Sequence, residues 1–316
     1  MLIRAGLVET HPIFKVYPGQ VDAIREAFGF KDAKSLDDAV DVLETWVKQQ
    51  NHFLVKDLGR TYLESYIIMA KGSIEKAKKR LDKRCTLRNM MPELFTNIRV
   101  DTEFNKLFNS YQHASMPMPT KDYYRITVDR YAGDVESFDH LQYARYLHVC
   151  AEYSMVNELI VGLESIIDLQ EVALTDMMRK FNLVLLQKTM IMLIEGYGAK
   201  LKAIHIINSS KFVENIVAML KAGLSEKIKN RLHVHSTPET LHKFIAKESL
   251  PSDYGGTGPS ISECHDMFFK ELCTDHFKQR LKQVEHFQTD ETRRVTSKFN
   301  DEYMGMPGSF RTLSVD

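Results

Sequence analysis

The sequence predicts an α/β protein: a helical module, then a domain built on a mostly parallel sheet flanked by helices, then a C-terminal helix and tail. Three observations carry this. Residues 1–92 place apolar side chains at three- and four-residue spacing and contain no strand-like run. Beyond them the short runs Tyr124–Arg130, Glu164–Leu169, Leu201–Ile207 and Arg231–His235 alternate with helical stretches, and parallel strands need such crossovers. Past residue 258 the chain returns to one long helical stretch and a polar tail. The expected units are therefore 1–92, 93–258 and 259–316.

Within the first unit, Pro12 and Pro18 mark residues 1–20 as an extended lead-in. Gln20–Phe28 and Leu36–Gln50 follow as helices; in the second, Val40, Leu43 and Val47 share a face that Trp46 widens. A third helix is expected over Asp57–Ala70. Gly72-Ser73 breaks it, and the Ser73 oxygen is placed to accept a free first-turn amide of Ile74–Asn89. Pro92 closes the run. In the second unit, helices are expected over Asp139–Leu163, Asp176–Glu195, Asn208–Lys221 and Thr237–Glu248. The third unit should open with a single helix, Ser260–Gln288.

Lys+Arg and Asp+Glu number 42 each in the 316 residues, so the formal charge is zero. Nothing here attracts nucleic acid or an anionic bilayer in general; such a partner would have to meet a local patch. Cys85, Cys150, Cys264 and Cys273 are scattered, and the first residues lack a continuous apolar signal core. The expectation is a soluble protein of the reducing cytoplasm with free thiols. The longest apolar stretch, Phe181–Ile194, is interrupted by Asn182, Gln187, Lys188 and Thr189 and is too short to span a bilayer.

The familiar catalytic motifs do not occur: no phosphate-binding loop, no nucleophile elbow, no zinc-protease helix. Cys264, His265, Cys273 and His276 invite a zinc site, but nine helical residues separate the two cysteines by about 13 Å, and zinc needs its ligands within about 2.3 Å. An amphipathic helix is the better reading. His233 and His235 alternate on one strand and so face the same side; with His205 they read as structural histidines that bond the backbone. Lys76, Lys79, Arg80, Lys83 and Arg84 form one helical stripe, tempered by Glu75 and Asp82, and read as a solvated face. No aromatic residues interleave them for stacking on bases. No catalytic residue, metal or cofactor is assigned, and no nucleic-acid partner is expected.

Four blocks stand in order: ESIIDLQ at 164–170, KLKAIHIINSSKFVENIVAML at 200–220, LSEKIKNRLHVHS at 224–236 and LHKFIAKESLPSDYGG at 241–256. Together they resemble the lipid-binding domain of the CRAL-TRIO family. SIEKAKKRLDKRCTLRNMMPELF at 73–95 looks like the end of that family's N-terminal helical module, and GSFRTLSVD at 308–316 is similar to the tail of insect members. LPSDYGG alone is weak; four ordered blocks are specific.

The resemblance implies a sheet and helices enclosing an apolar pocket, and a function without bond making: an intracellular carrier for one small hydrophobic lipid, tocopherol-, retinoid- or carotenoid-like, moved between membranes. A lipid-sensing regulatory module without transfer activity is the alternative. Helix Asn208–Lys221 takes the place of the family's gate, with Phe212, Ile216 and Leu220 in an i, i+4 row and Val213, Val217 and Met219 beside it. Pocket contacts fall on Leu174 and Met178, where tocopherol-carrying members have aromatic residues. Lys200, Lys202, Lys227 and Arg231, with Lys229 between the last two, match the basic cluster of members that bind phosphoinositide headgroups. They imply transient membrane contact and phosphoinositide-assisted release. The family's N-terminal arginines are replaced by Tyr66-Ile67-Ile68-Met69-Ala70-Lys71.

Overall fold

In the computed structural model, residues 11–207 and 226–294 are described. The helical module comprises α1 (Gln20–Ala27), α2 (Ala33–Gln49), α3 (Arg60–Met69) and α4 (Ile74–Met90), closed by the short turns α5 (Pro92–Phe95) and α6 (Val100–Glu103). Asp32 caps α2 by accepting the Ser35 amide, and Ser73 caps α4 by accepting the Lys76 amide. The inner faces of α2 and α3, including Leu36, Val40, Leu43, Val47, Tyr66 and Ile67, are fully buried in one large core.

The second unit holds a five-stranded sheet in sequence order: β1 (Tyr111–Ser115), β2 (Tyr124–Tyr131), β3 (Gly162–Asp168), β4 (Leu201–Ile207) and β5 (Leu232–His235). β1 is antiparallel to β2 and the remaining pairs are parallel. Crossovers are α7 (His140–Asn157) between β2 and β3, then α8 (Leu174–Lys180) and α9 (Leu183–Met190) between β3 and β4. The short helix α10 (Glu226–Lys229) precedes β5, and α11 (Ile261–Leu272) and α12 (Asp275–Glu285) follow the sheet.

Several expected elements differ. The stretch from Asp139 ends as helix at Asn157, because Gly162 already pairs with Tyr124 on β2. Asp176–Glu195 is not one helix: Asn182 caps a new start by accepting the Leu185 amide, and Ile191–Gly196 widens into a π turn. Thr237–Glu248 folds as two 3₁₀ turns, Pro238–Lys243 and Lys247–Ser249. The last helix breaks at Cys273-Thr274, where Thr274 caps α12. β1 was not foreseen. The gate stretch Asn208–Lys221 and the tail block 308–316 lie outside the described residues.

One side of the sheet packs under the C-terminal layer. Ala114, Ile126, Val128, Ile166 and Ile207 meet Leu241, Ile245, Leu250, Tyr254 and Ile261 in a second, separate core. The LPSDYGG block pins this layer: the Tyr254 hydroxyl donates to Asp168 Oδ2 at 2.6 Å, and Asp253 accepts the Ile261 amide at 2.8 Å. A side chain at Gly256 would overlap the Leu250 carbonyl, its Cβ lying 2.1 Å from that oxygen, so only glycine closes this turn. α11 crosses the β1 edge, where the His113 amide donates to His265 Nδ1 at 3.2 Å, and so covers a strand that would otherwise present free backbone.

Candidate functional site

The two faces of the sheet differ in how completely they are shut. On β3, Glu164, Ile166 and Asp168 are buried, whereas Leu163, Ser165 and Ile167 retain partial exposure. β4 repeats the alternation: Ala203, His205 and Ile207 are buried, and Ile204 and Ile206 are not. On β5 Leu232, His233 and Val234 are all half-buried and His235 is buried. Register joins these positions into two rows, Ser165–Ile204–Leu232 and Ile167–Ile206–Val234. Parallel strands are ordinarily covered on both sides. Here one side carries a floor of five aliphatic residues and a serine that stay half-buried among the described residues. Phe181, Leu185, Ile191 and Leu193, from the start of α9 through the π turn, are likewise partly buried against the same core as Ile167 and Ile206.

On the crossover from β3 to β4 the surface turns apolar and basic. Met178, Leu183 and Val184, at the end of α8 and the start of α9, are 57%, 72% and 62% exposed. Arg179, Lys180 and Lys188 accompany them in sequence. Lys180 and Lys188 pair with Glu136 and Glu93 at 2.6 Å, and Arg179 pairs with Asp176.

The basic cluster has an unexpected member list. Lys200 is buried, its Nζ has no hydrogen-bond partner, and it lies 4.9 Å from the centre of the Phe28 ring. Burial, reinforced by Lys71, Arg80 and Lys76, pushes its pKa down to about 7. The helical module thus brings cations to Lys200 from the start of α4 and the end of α3, although the stretch 66–71 lacks arginine. Gly198 makes this approach possible: its φ is +67°, in the left-handed region that glycine tolerates, and a Cβ there would sit 2.8 Å from an Arg80 nitrogen. Lys202 bonds Asp122 Oδ2 at 3.0 Å and Glu164 Oε2 at 3.3 Å. Lys229 pairs with Glu226 at 2.7 Å. Arg231 is half-buried, and its carbonyl accepts the Ile204 amide at 2.7 Å. Lys227 belongs to α10 and Leu174 opens α8. Phe212, Val213, Ile216, Val217, Met219 and Leu220 lie outside the described residues.

The basic stripe on α4 is not a solvated face throughout. Lys83 and Arg84 are buried. Lys83 pairs with Glu195 in the π turn, and Arg84 and Arg88 both reach Glu152 on α7. The Tyr197 hydroxyl donates to Glu152 Oε1 at 2.9 Å. α4 is therefore bonded through charged groups to the segment that leads into β4.

The histidines also correct the expectation of backbone bonding. His205 Nε2 lies 3.0 Å from Glu164 Oε1, His205 Nδ1 lies 2.9 Å from His235 Nε2, and His235 Nδ1 lies 2.7 Å from Thr240 Oγ1. The chain of side chains ties β3, β4 and β5 together on the face opposite the floor. His113 sits between Asp129, at 3.0 Å from Nδ1, and Ser115, at 3.4 Å from Nε2. That order resembles a hydrolytic triad, but Ser115 is 3% exposed and a nucleophile needs access to substrate. Among the described residues no cluster of three or more His, Cys, Asp or Glu is arranged to hold a metal ion. Nor is any described helix long and apolar enough to cross a membrane.

Among the described residues, then, a helical module is bonded to an α/β domain whose mostly parallel sheet keeps one aliphatic face half-buried. Comparison with known families identifies this layout. The CRAL/TRIO domain matches residues 109–256, and the Pinta-like UBA domain matches residues 32–103. Residues 109–256 thus form a CRAL/TRIO domain, the domain of a lipid-binding family, with a UBA-like helical region ahead of it. Similar proteins include alpha-tocopherol transfer protein-like of Mus musculus, 23% identical over 279 residues, covering 81% of this chain and 80% of the relative. The Homo sapiens protein of the same name is 22% identical over 275 residues, with the same coverage. Clavesin-1 of Rattus norvegicus is 29% identical over 66 residues, 21% of this chain and 19% of that protein. The crystal structure of Sfh5 aligns at 12% identity with a TM-score of 0.48, covering 80% of this chain and 98% of that one.

Proposed function

We propose that this protein binds one small, largely apolar lipid over the floor formed by Ile167, Ile204, Ile206, Leu232 and Val234, and transfers it between membranes. The observation that carries the reading is the alternation on β3 and β4, buried on one side and half-buried on the other among the described residues. Covering such a floor with hydrocarbon returns about 25 cal/mol for each Å² of apolar surface removed from water. In this reading Leu174 and Met178 on α8 contact the lipid, and Phe212, Val213, Ile216, Val217, Met219 and Leu220 supply its lid. Relatives called alpha-tocopherol transfer protein-like support a carrier role.

Loading and release take place at a membrane surface. Met178, Leu183 and Val184 offer exposed apolar groups, and an apolar tip beside cationic groups suits an anionic interface. Lys200, Lys202, Lys227, Lys229 and Arg231 form the phosphoinositide-responsive rim. Lys200 is its centre, because a buried ammonium without a partner gains most from an arriving phosphate. The test is transfer of a fluorescent tocopherol analogue between donor and acceptor liposomes. Faster transfer with the protein, and faster still with phosphoinositide in the acceptor, is the expected result. Binding without transfer would leave a lipid sensor instead.

A further inference from the structure

The floor is not apolar from end to end. On its side of the sheet, register places Ser115 beside Thr127 and Thr127 beside Ser165, and that row then continues into Ile204 and Leu232. The neighbouring row runs from His113 and Asp129 to Ile167, Ile206 and Val234. Polarity therefore changes across β3: the β1–β2 end is hydrogen-bonding and the β4–β5 end is aliphatic.

Most polar groups at the first end are already matched. Asp129 accepts from the Tyr111 hydroxyl and faces His113 Nδ1 at 3.0 Å. Ser115 Oγ faces His113 Nε2 at 3.4 Å. Arg125 donates from Nε to Glu158 at 2.6 Å and from Nη1 to the Met116 carbonyl at 2.9 Å. Thr127 and Ser165 are the exceptions, since neither hydroxyl bonds another group of the described residues. They are register partners at the border of the floor, Thr127 buried and Ser165 half-buried. Neither hydroxyl is fully shut off from solvent, so a ligand head arriving here exchanges a bond to water for one to Thr127 or Ser165 while its chain is buried.

We infer that Thr127 and Ser165 set the specificity of the lipid site by bonding a single small, uncharged polar head, an alcohol or carbonyl. The hydrocarbon of the same ligand extends over Ile204, Ile206, Leu232 and Val234. The head is uncharged because Arg125, two residues before Thr127 on β2, is committed to Glu158, while Asp129 stands in the adjacent row and repels a carboxylate. This rests on the lipid-binding reading above and adds the orientation of the ligand and the chemistry of its head.

The experiment loads the full chain from liposomes holding equal amounts of a diterpene alcohol, the corresponding carboxylic acid and the corresponding hydrocarbon, and counts bound species by native mass spectrometry. The wild-type protein is expected to favour the alcohol over both others by about tenfold, the worth of one well-made hydrogen bond. The near-isosteric double variant Thr127→Val, Ser165→Ala should bring the alcohol down to the level of the hydrocarbon without reducing hydrocarbon uptake. Retained hydrocarbon uptake shows that the variant is folded. Unchanged alcohol preference in the variant, or a wild-type preference for the acid or the hydrocarbon, overturns the inference alone. A wild-type protein that takes up none of the three overturns the lipid-binding reading with it.

Discussion

The Lys200 ammonium lies 4.9 Å from the centre of the Phe28 ring, joining the start of β4 to the end of α1 with no hydrogen bond to satisfy it. Its pKa falls to about 7 through burial and then through Lys71, Arg80 and Lys76. The unfolded chain holds this proton up to the ordinary lysine range, so between about pH 7 and 10 it binds more protons than the native state. The penalty to stability is complete below pH 7 and shrinks as the pH rises toward the unfolded value. Lys200→Met should therefore raise the melting temperature, by more at pH 6 than at pH 9, while weakening binding to phosphoinositide-containing liposomes. Equal melting shifts at both pH values would show that Lys200 carries no buried charge.

Glu152 is the shared anion for Arg84 and Arg88, all three side chains being buried. Neutralising it leaves two guanidinium groups without a counter-charge, and breaking a buried pair in this way costs about 3–5 kcal/mol. Glu152→Gln should lower the unfolding free energy by an amount of that order in urea titration. A loss below about 1 kcal/mol, the level of an exposed pair, would show that the junction between α4 and α7 does not depend on this charge.

Three histidines make the fold acid-sensitive. Burial holds His140 and His235 at about 4 and His148 well below the ordinary 6.5; His205 and His233 add to the effect on His235, and Arg88, Arg84 and Arg145 to that on His148. Each folded value lies below the unfolded one, so the unfolded chain takes up more protons as the pH drops. Stability is full above about pH 6.5 and declines toward pH 4. The urea midpoint should fall across that window, less steeply in His235→Gln. A midpoint flat from pH 7 to 4.5 would contradict the neutral assignment of these groups.

Met178, Leu183 and Val184 are exposed, so replacing them should barely affect folding. The triple variant to serine is expected to keep its melting temperature within about 2 °C, since surface changes cost about 0.5 kcal/mol or less. Liposome co-sedimentation should nevertheless drop several-fold. Undiminished co-sedimentation would place the membrane-facing surface elsewhere.

The β-branched strands were legible because Tyr124–Arg130, Glu164–Leu169, Leu201–Ile207 and Arg231–His235 are short, apolar and bounded by breakers. β1 was not, since Tyr-Gln-His-Ala-Ser has little strand propensity and is held by β2 and by His265 on α11. Lys83 and Arg84 read as solvated because their partners, Glu195 and Glu152, are remote in sequence and local spacing cannot reveal them. The same limit hid the cations around Lys200. The Ser165–Thr127 pairing was hidden for a related reason: strand alternation shows which residues share a face of one strand, but only the register between β2 and β3 brings the two hydroxyls together.

The most direct measurement is native mass spectrometry of the full chain purified from its own tissue, followed by extraction and identification of whatever is released. The expected result is one small, largely apolar lipid per protein, lost when Ile206→Asp puts a charge on the floor. Protein that carries no extractable lipid and takes none from liposomes would contradict the binding of lipid at this face.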